Sequence, residues 1–231
     1  MNIVIIGLGG IGSHLVRPLC RYLNELMEEV TVTLIDGDTY EPKNETRQEF
    51  RGFGNKAEVI ATELTERFPE ISFSGKAWFV TEENVYLAIN EGDIVFSCVD
   101  NHATRKVISE RCSGLKDVVL ISGGNAYSDG NVQIFIRANG DCQTPPLTHL
   151  HPEIEDPQDK NPGEMSCEEL AQSGSPQLIF TNFLASAWML TTFWKYIEWK
   201  NSGSKREFGY SEIYFDGVSG NARAVNRSQP Q

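Results

Sequence analysis

Ile3-Val4-Ile5-Ile6-Gly7-Leu8-Gly9-Gly10-Ile11-Gly12-Ser13 decides the fold. Four β-branched residues in succession read as a strand buried on both faces, as in the interior of a parallel sheet. Gly7, Gly9 and Gly12 then spell G-x-G-x-x-G, with Gly10 inside the motif. The first glycine permits a tight turn, the second lets the backbone approach a phosphate, and the third lets a helix pack on the strand. Leu15, Val16, Leu19, Leu23 and Leu26 follow at helical spacing. Strand, glycine turn and helix therefore arrive in the order that gives the motif its meaning, and the helix start offers N–H groups to an anion. Val30 to Ile35 reads as the second strand. Asp36 at its end, about 20 residues past the glycines, is placed to hydrogen-bond ribose hydroxyls.

Composition narrows the class. The 231 residues suffice for one sizeable core, and with no linker or internal repeat the expectation is a single domain over 1–231. A net charge of -12 weighs against nucleic acid as a partner, because phosphate contacts need clustered Lys and Arg. The apolar stretch 176–199 contains Asn182, Lys195 and Glu198, so a buried helix is expected there, with no membrane span. Five scattered cysteines without a C-x-x-C indicate thiols in a reducing cytoplasm, with no zinc site expected. The N-terminal apolar run is too short for a signal peptide.

Asp36-Gly37-Asp38-Thr39-Tyr40-Glu41-Pro42-Lys43-Asn44-Glu45-Thr46-Arg47-Gln48 is too polar for a core helix and too rich in functional groups for a plain connector. The helix expected over 55–68 opens with Lys56, a cation opposed by the helix dipole unless an anion sits beside it. Ile71 to Val80 reads as an irregular strand and Glu83 to Ile89 as a short helix. Asp93 to Val99 is a further buried strand, ending at Asp100-Asn101-His102-Ala103-Thr104-Arg105. Ligands of parallel sheets sit beyond the C-terminal strand ends, so Asp36 and Asp100 share the ligand edge. Two carboxylates facing a polyphosphate imply a cation, Mg²⁺. Val118 to Ser122 is read as a strand turned by Gly123-Gly124-Asn125. Asn131 to Arg137 alternates as an antiparallel strand, and Tyr210 to Phe215 with Ala222 to Asn226 as a hairpin. The fold class is α/β, Rossmann-like and doubly wound, with a mainly parallel sheet and an antiparallel C-terminal extension. Residues 139–176, rich in proline and acids, form a long loop of functional character.

Together these constellations resemble the ThiF/MoeB/HesA superfamily, adenylating proteins related to ubiquitin-activating enzymes. The glycine turn from Gly7 to Ser13 matches its G-x-G-G-[IL]-G-S. Asp36, Asp38, Asn44, Arg47 and Gln48 match its acidic strand end and Arg-Gln pair. Lys56 and the Asp100-Asn101-x-x-x-Arg105 run match the motifs that follow. The likeness covers roughly residues 3–137 and more loosely 163–200, where Ser166-Cys167 resembles small bacterial ThiF-type proteins of PRTRC cassettes.

The resemblance implies ATP-dependent adenylation of the C-terminal carboxylate of a small ubiquitin-like protein ending in Gly. By it, Asp36 holds ribose, Asn44 and Gln48 bond phosphate or ribose, Arg47 and Lys56 face the polyphosphate, Asp100 carries Mg²⁺, and Arg105 orients Asp100. Cys167 would take the acyl group as a thioester. The resemblance also implies a homodimer; the family's paired C-x-x-C zinc site is absent from this sequence, and the Arg that the family often supplies from an N-terminal helix is missing or comes from elsewhere. Two alternatives stand beside this reading: a non-catalytic Rossmann-type module binding a dinucleotide, and a tRNA-modifying dehydratase of the same superfamily. Arg47, Gln48 and Lys56 speak against the first, and the acidic charge against the second.

Overall fold

The computed structural model describes residues 1–26, 28–41, 50–165, 178–204 and 206–227. In chain order its elements are β1 (Asn2–Ile6), α1 (Gly10–Glu25), β2 (Val30–Ile35), β3 (Thr39–Tyr40), β4 (Gly54–Asn55), α2 (Lys56–Arg67), β5 (Ile71–Lys76), α3 (Val85–Ala88), β6 (Ile94–Ser97), α4 (His102–Ser113), β7 (Val118–Asn125), β8 (Asp129–Ala138) and β9 (Asp141–Cys142). The short helices α5 (Leu147–Leu150) and α6 (Pro152–Glu155), the long helix α7 (Ile179–Asn201), β10 (Glu212–Asp216) and β11 (Asn221–Val225) complete the chain.

The main sheet runs β11-β10-β8-β7-β6-β1-β2-β5, with β9 added to β8. From β5 to β7 all pairings are parallel, and from β7 onward they are antiparallel. This is the expected Rossmann-like architecture with an antiparallel extension. Helices cover both faces, so successive residues of β1 serve two cores. Ile3 and Ile5 pack with α1, α2 and α7, whereas Val4 and Ile6 pack with the α3–α6 side. Leu15, Leu19 and Leu23 of α1 are fully buried, each contributing about 1.5–3 kcal/mol by removal from water.

Two sequence expectations need correction. Gly123 and Gly124 do not turn the chain but continue β7 to Asn125, and the reversal falls at the following residues. Glycine is needed there for close approach. A Cβ on Gly123 would lie 2.3 Å from Met189 Sδ of α7, and one on Gly124 would lie 2.7 Å from the Arg105 guanidinium. The irregular strand expected to reach Val80 ends at Lys76. Beyond it Phe79 lies against Gly37, where a Cβ would be 2.5 Å from the ring.

One row of the sheet is polar although buried. Ser97 pairs with Ser122, Ser122 with Gln133, and Gln133 with Glu212. Gln133 Nε2 donates to Glu212 Oε1 at 2.9 Å. Glu212 also accepts from Tyr214 OH and pairs with Arg227 Nε at 2.9 Å and with His151 Nε2. The α5–α6 junction is thereby fastened to the antiparallel part of the sheet.

Candidate functional site

Strand order builds the site. β1 lies between β2 and β6, so the glycine turn after β1 is flanked by Asp36 after β2 and Asp100 after β6. Gly7 adopts φ +89°, and a Cβ there would stand 2.9 Å from the Cys98 carbonyl group. At Gly12 a Cβ would be 2.0 Å from Gly7 O. A side chain at either position would drive α1 off the strand ends. Gly9 caps α1 without any side-chain hydrogen bond to the helix start, so the dipole end and first-turn amides around Gly10 face the ligand edge. That arrangement suits an oligophosphate.

Asp36 is buried, and its carboxylate accepts from Leu8 N–H within the glycine turn at 2.5 Å and from Asp38 N–H at 2.8 Å. Burial raises its pKa, opposed first by the Lys56 charge. Asn55 is the N-cap of α2. Its side-chain oxygen accepts from Ala57 and Glu58 N–H at 3.0 and 3.2 Å, and its amide donates to the carbonyls of Asp36 and Asp38 at 2.8 and 3.1 Å. Lys56 N–H also donates to Asp38 O at 2.9 Å. The side chain of Lys56 is only 6% exposed, and its ammonium meets Asp38 Oδ2 at 2.9 Å. The anion required beside a cation at a helix start is thus a carboxylate of the same turn.

Asp100 is exposed, immediately before the α4 N-cap Asn101, whose side chain accepts from Thr104 N–H at 2.8 Å. Asp159 also caps α4, accepting from His102 and Ala103 N–H at 2.7 and 2.9 Å. The guanidinium of Arg105 is buried and donates to Val99 O at 2.8 Å and Gly123 O at 2.9 Å. It ties the Asp100 turn to β7 through main-chain carbonyls. Burial lowers its pKa, opposed first by the Asp100 charge.

Asp36, Asp38, Lys56, Asp100, Asn101, Arg105 and the glycines therefore gather at one sheet edge. Asn44, Arg47 and Gln48 fall in residues 42–49 and Cys167 in residues 166–177, outside the described residues. Cys20, Cys98 and Cys112 are buried, and burial pushes the Cys20 and Cys98 thiols up to about 12 and Cys112 higher still. These are not nucleophiles. Cys142 is exposed. Among the described residues no group of three or more His, Cys, Asp or Glu could hold a metal ion, and no helix is long and apolar enough to cross a membrane.

Sequence reasoning did not find the paired roles of Asn55, the Asp159 cap or the Glu212 cluster. An Asn before a helical run signals the first. The Asp159 cap and the Glu212 bonds to His151 and Gln133 join residues more than 50 positions apart and leave no local trace.

The sequence profile of the ThiF family matches residues 1–204. The chain belongs to the ThiF family. Among ThiF-family relatives, the adenylyltransferase and sulfurtransferase MOCS3 of Drosophila yakuba is 31% identical over 145 residues, covering 61% of this chain and 31% of the relative. Ubiquitin-like modifier-activating enzyme 5 of Dictyostelium discoideum is 30% identical over 167 residues, covering 64% of this chain and 42% of the relative. The chain thus spans about a third of the MOCS3 relative's length. In structure it is similar to E. coli MccB, solved with ATP, at TM-score 0.69 and 22% identity, covering 98% of this chain and 64% of MccB. The likeness to PaaA gives a TM-score of 0.67 at 14% identity, covering 97% of this chain and 72% of PaaA. These likenesses establish the Rossmann-like fold of the ThiF-family chain.

Proposed function

We propose that this ThiF-family chain is an ATP-dependent adenylyltransferase. It activates the C-terminal carboxylate of a small ubiquitin-like protein ending in Gly and then passes the acyl group to Cys167. The observation that carries the reading is the ligand edge itself: an uncapped helix start between two acidic strand ends, with the buried Lys56 ammonium on the Asp36 side. A dinucleotide module has no need of that ammonium. The relatives' names, adenylyltransferase and modifier-activating enzyme, support the same chemistry.

In the first step a substrate carboxylate oxygen attacks the α-phosphorus of ATP, and pyrophosphate leaves. The protein's share is positioning and charge neutralisation. Asp36 holds ribose hydroxyls, and the first-turn amides of α1 face the phosphates. Lys56 and Arg47 neutralise the charge gathering on the leaving pyrophosphate, while Asn44 and Gln48 bond phosphate or ribose. Asp38 neighbours Lys56 in the same turn. Asp100 would hold Mg²⁺, which supplies charge neutralisation when bound; its turn is kept in place by Asn101 and Arg105. In the second step the Cys167 thiolate attacks the activated acyl carbon, and AMP leaves.

A homodimer fits the exposed apolar residues of α7, Phe180, Phe183, Leu184 and Trp194, a stripe of the kind that marks protein contacts. ATP–pyrophosphate exchange driven by a ubiquitin-like protein ending in Gly tests the function. Lys56→Ala abolishes exchange and thioester alike, whereas Cys167→Ala keeps exchange and loses the reductant-sensitive band. Absence of exchange with tight NAD binding would refute the reading in favour of a dinucleotide-binding module.

A further inference from the structure

Among the described residues the Asp38 side chain takes part in no cap. Its backbone is locked, with N–H on Asp36 Oδ1 and carbonyl on both Asn55 Nδ2 and Lys56 N–H. Its carboxylate is different: 52% exposed, it reaches across the turn to the Lys56 ammonium. Lys56 has little freedom of its own, since its side chain is 6% exposed and starts at the first residue of α2. A cation there is mildly disfavoured by the helix dipole, so an anion against it is stabilising. A phosphate oxygen approaching the Lys56 ammonium meets a carboxylate already seated on that nitrogen, and the two anions repel.

We infer that Asp38 is a placeholder: its carboxylate occupies the phosphate position on Lys56 and is displaced by the nucleotide. The inference rests on the adenylation reading and deepens it by giving Asp38 a role that opposes binding. The locked backbone of Asp38 and its half-exposed side chain suit this exchange. The carboxylate rotates into water while the turn, and Asp36 with it, stays in place. Lys56 is thereby kept paired whichever anion is present, and the site discriminates against weakly charged ligands that cannot outcompete a carboxylate. A ligand with several phosphate charges can.

The test uses two readouts with opposite signs on the whole chain. Asp38→Asn removes the charge at nearly constant size. Without nucleotide, its melting temperature falls by about 2–4 °C, the effect of losing a partly exposed pair. Inorganic pyrophosphate without metal, titrated by calorimetry, binds about fivefold more tightly than to the wild type, as expected when a competing pair worth up to about 1 kcal/mol is removed. Asp38→Ala behaves in the same direction and guards against a bond made by the Asn amide. A merely structural Asp38 lowers melting and weakens pyrophosphate binding together, and that result overturns the inference. Weakened binding of ATP with Mg²⁺ but unchanged metal-free pyrophosphate binding also overturns it, because Asp38 would then be a metal-side group. If the wild type binds neither ATP nor pyrophosphate, the adenylation reading itself fails and this inference with it, whereas wild-type binding unaltered by Asp38→Asn overturns the placeholder alone.

Discussion

Asn55 joins stability to function through four hydrogen bonds, and replacing it separates the two. Its oxygen caps α2 through Ala57 and Glu58, and its amide holds the carbonyls of Asp36 and Asp38. Asn55→Ala loses the cap, worth about 1 kcal/mol. It also strips a donor from two carbonyls, at about 1 kcal/mol each where water does not replace it. The expected loss is about 2–3 kcal/mol, and for a chain of this size the melting temperature falls by about 4–12 °C. Asn55→Asp is the informative partner. Asp caps as well as Asn and suits the helix dipole, so α2 keeps its start. Yet the new carboxylate faces the Asp36 and Asp38 carbonyls and can no longer donate to them. Asn55→Asp keeps only the cap, about 1 kcal/mol of that loss, so it should melt about 2–4 °C above Asn55→Ala and still below the wild type, while ATP binding by calorimetry weakens by about tenfold or more in both, the equivalent of about 1.4 kcal/mol. Two variants that melt alike, or an Asn55→Asp protein that binds ATP as the wild type does, would refute the idea that Asn55 sets the ribose and Lys56 side of the site.

Further outcomes can be measured independently. His151 lies between two acceptor-only carboxylates, Glu153 and Glu212. A neutral imidazole has one donor, so only the protonated ring satisfies both. Burial opposes that charge, but the bonds to Glu212 and Glu153 outweigh it and hold the pKa above the ordinary 6.5. A raised folded value means the stabilisation is complete below pH 6.5 and is lost as pH rises through the raised value. His151→Gln should therefore lower melting at pH 6 and lose that difference at alkaline pH; a constant difference across the range would contradict it. Trp194→Asp, placing a charge in the exposed stripe of α7, should convert a homodimer to monomer by light scattering, and an unchanged mass would remove α7 from the interface. Brief alkylation read by mass spectrometry should label Cys142 far faster than Cys20, Cys98 and Cys112, and equal labelling would contradict their burial.

What the sequence made legible was local. The glycine turn, the strand-end Asp36 and the Asp100-Asn101 start of α4 are each defined by neighbours within a few positions. The order of apolar runs then leaves few sheet topologies. The sequence puts Lys56 at a helix start that favours a nearby anion, but whether that anion is a ligand or a protein group lies in the fold of the 36–38 turn. Gly123 and Gly124 misled because glycine serves both turns and close approach, and only the positions of Met189 and Arg105 decide which. The Glu212 cluster gathers His151, Gln133, Tyr214 and Arg227 from across the second half of the chain. A Glu inside a strand pattern offers no hint of such partners.

The polar row through Ser97, Ser122, Gln133 and Glu212 has a further effect, on how the strands find their alignment. An antiparallel pair that slips by two residues keeps its apolar and polar faces correct, so hydrophobic patterning alone does not forbid the slip. In this sheet such a slip is costly. Moving β10 by two residues in one direction would set Glu212 opposite Phe135 instead of Gln133, and moving β8 likewise would set Gln133 opposite Leu120 instead of Ser122. A buried carboxylate would then face a phenyl ring with its partners two residues away. The row works as a key cut across four strands, favouring one alignment of the antiparallel half and penalising a slip in that direction.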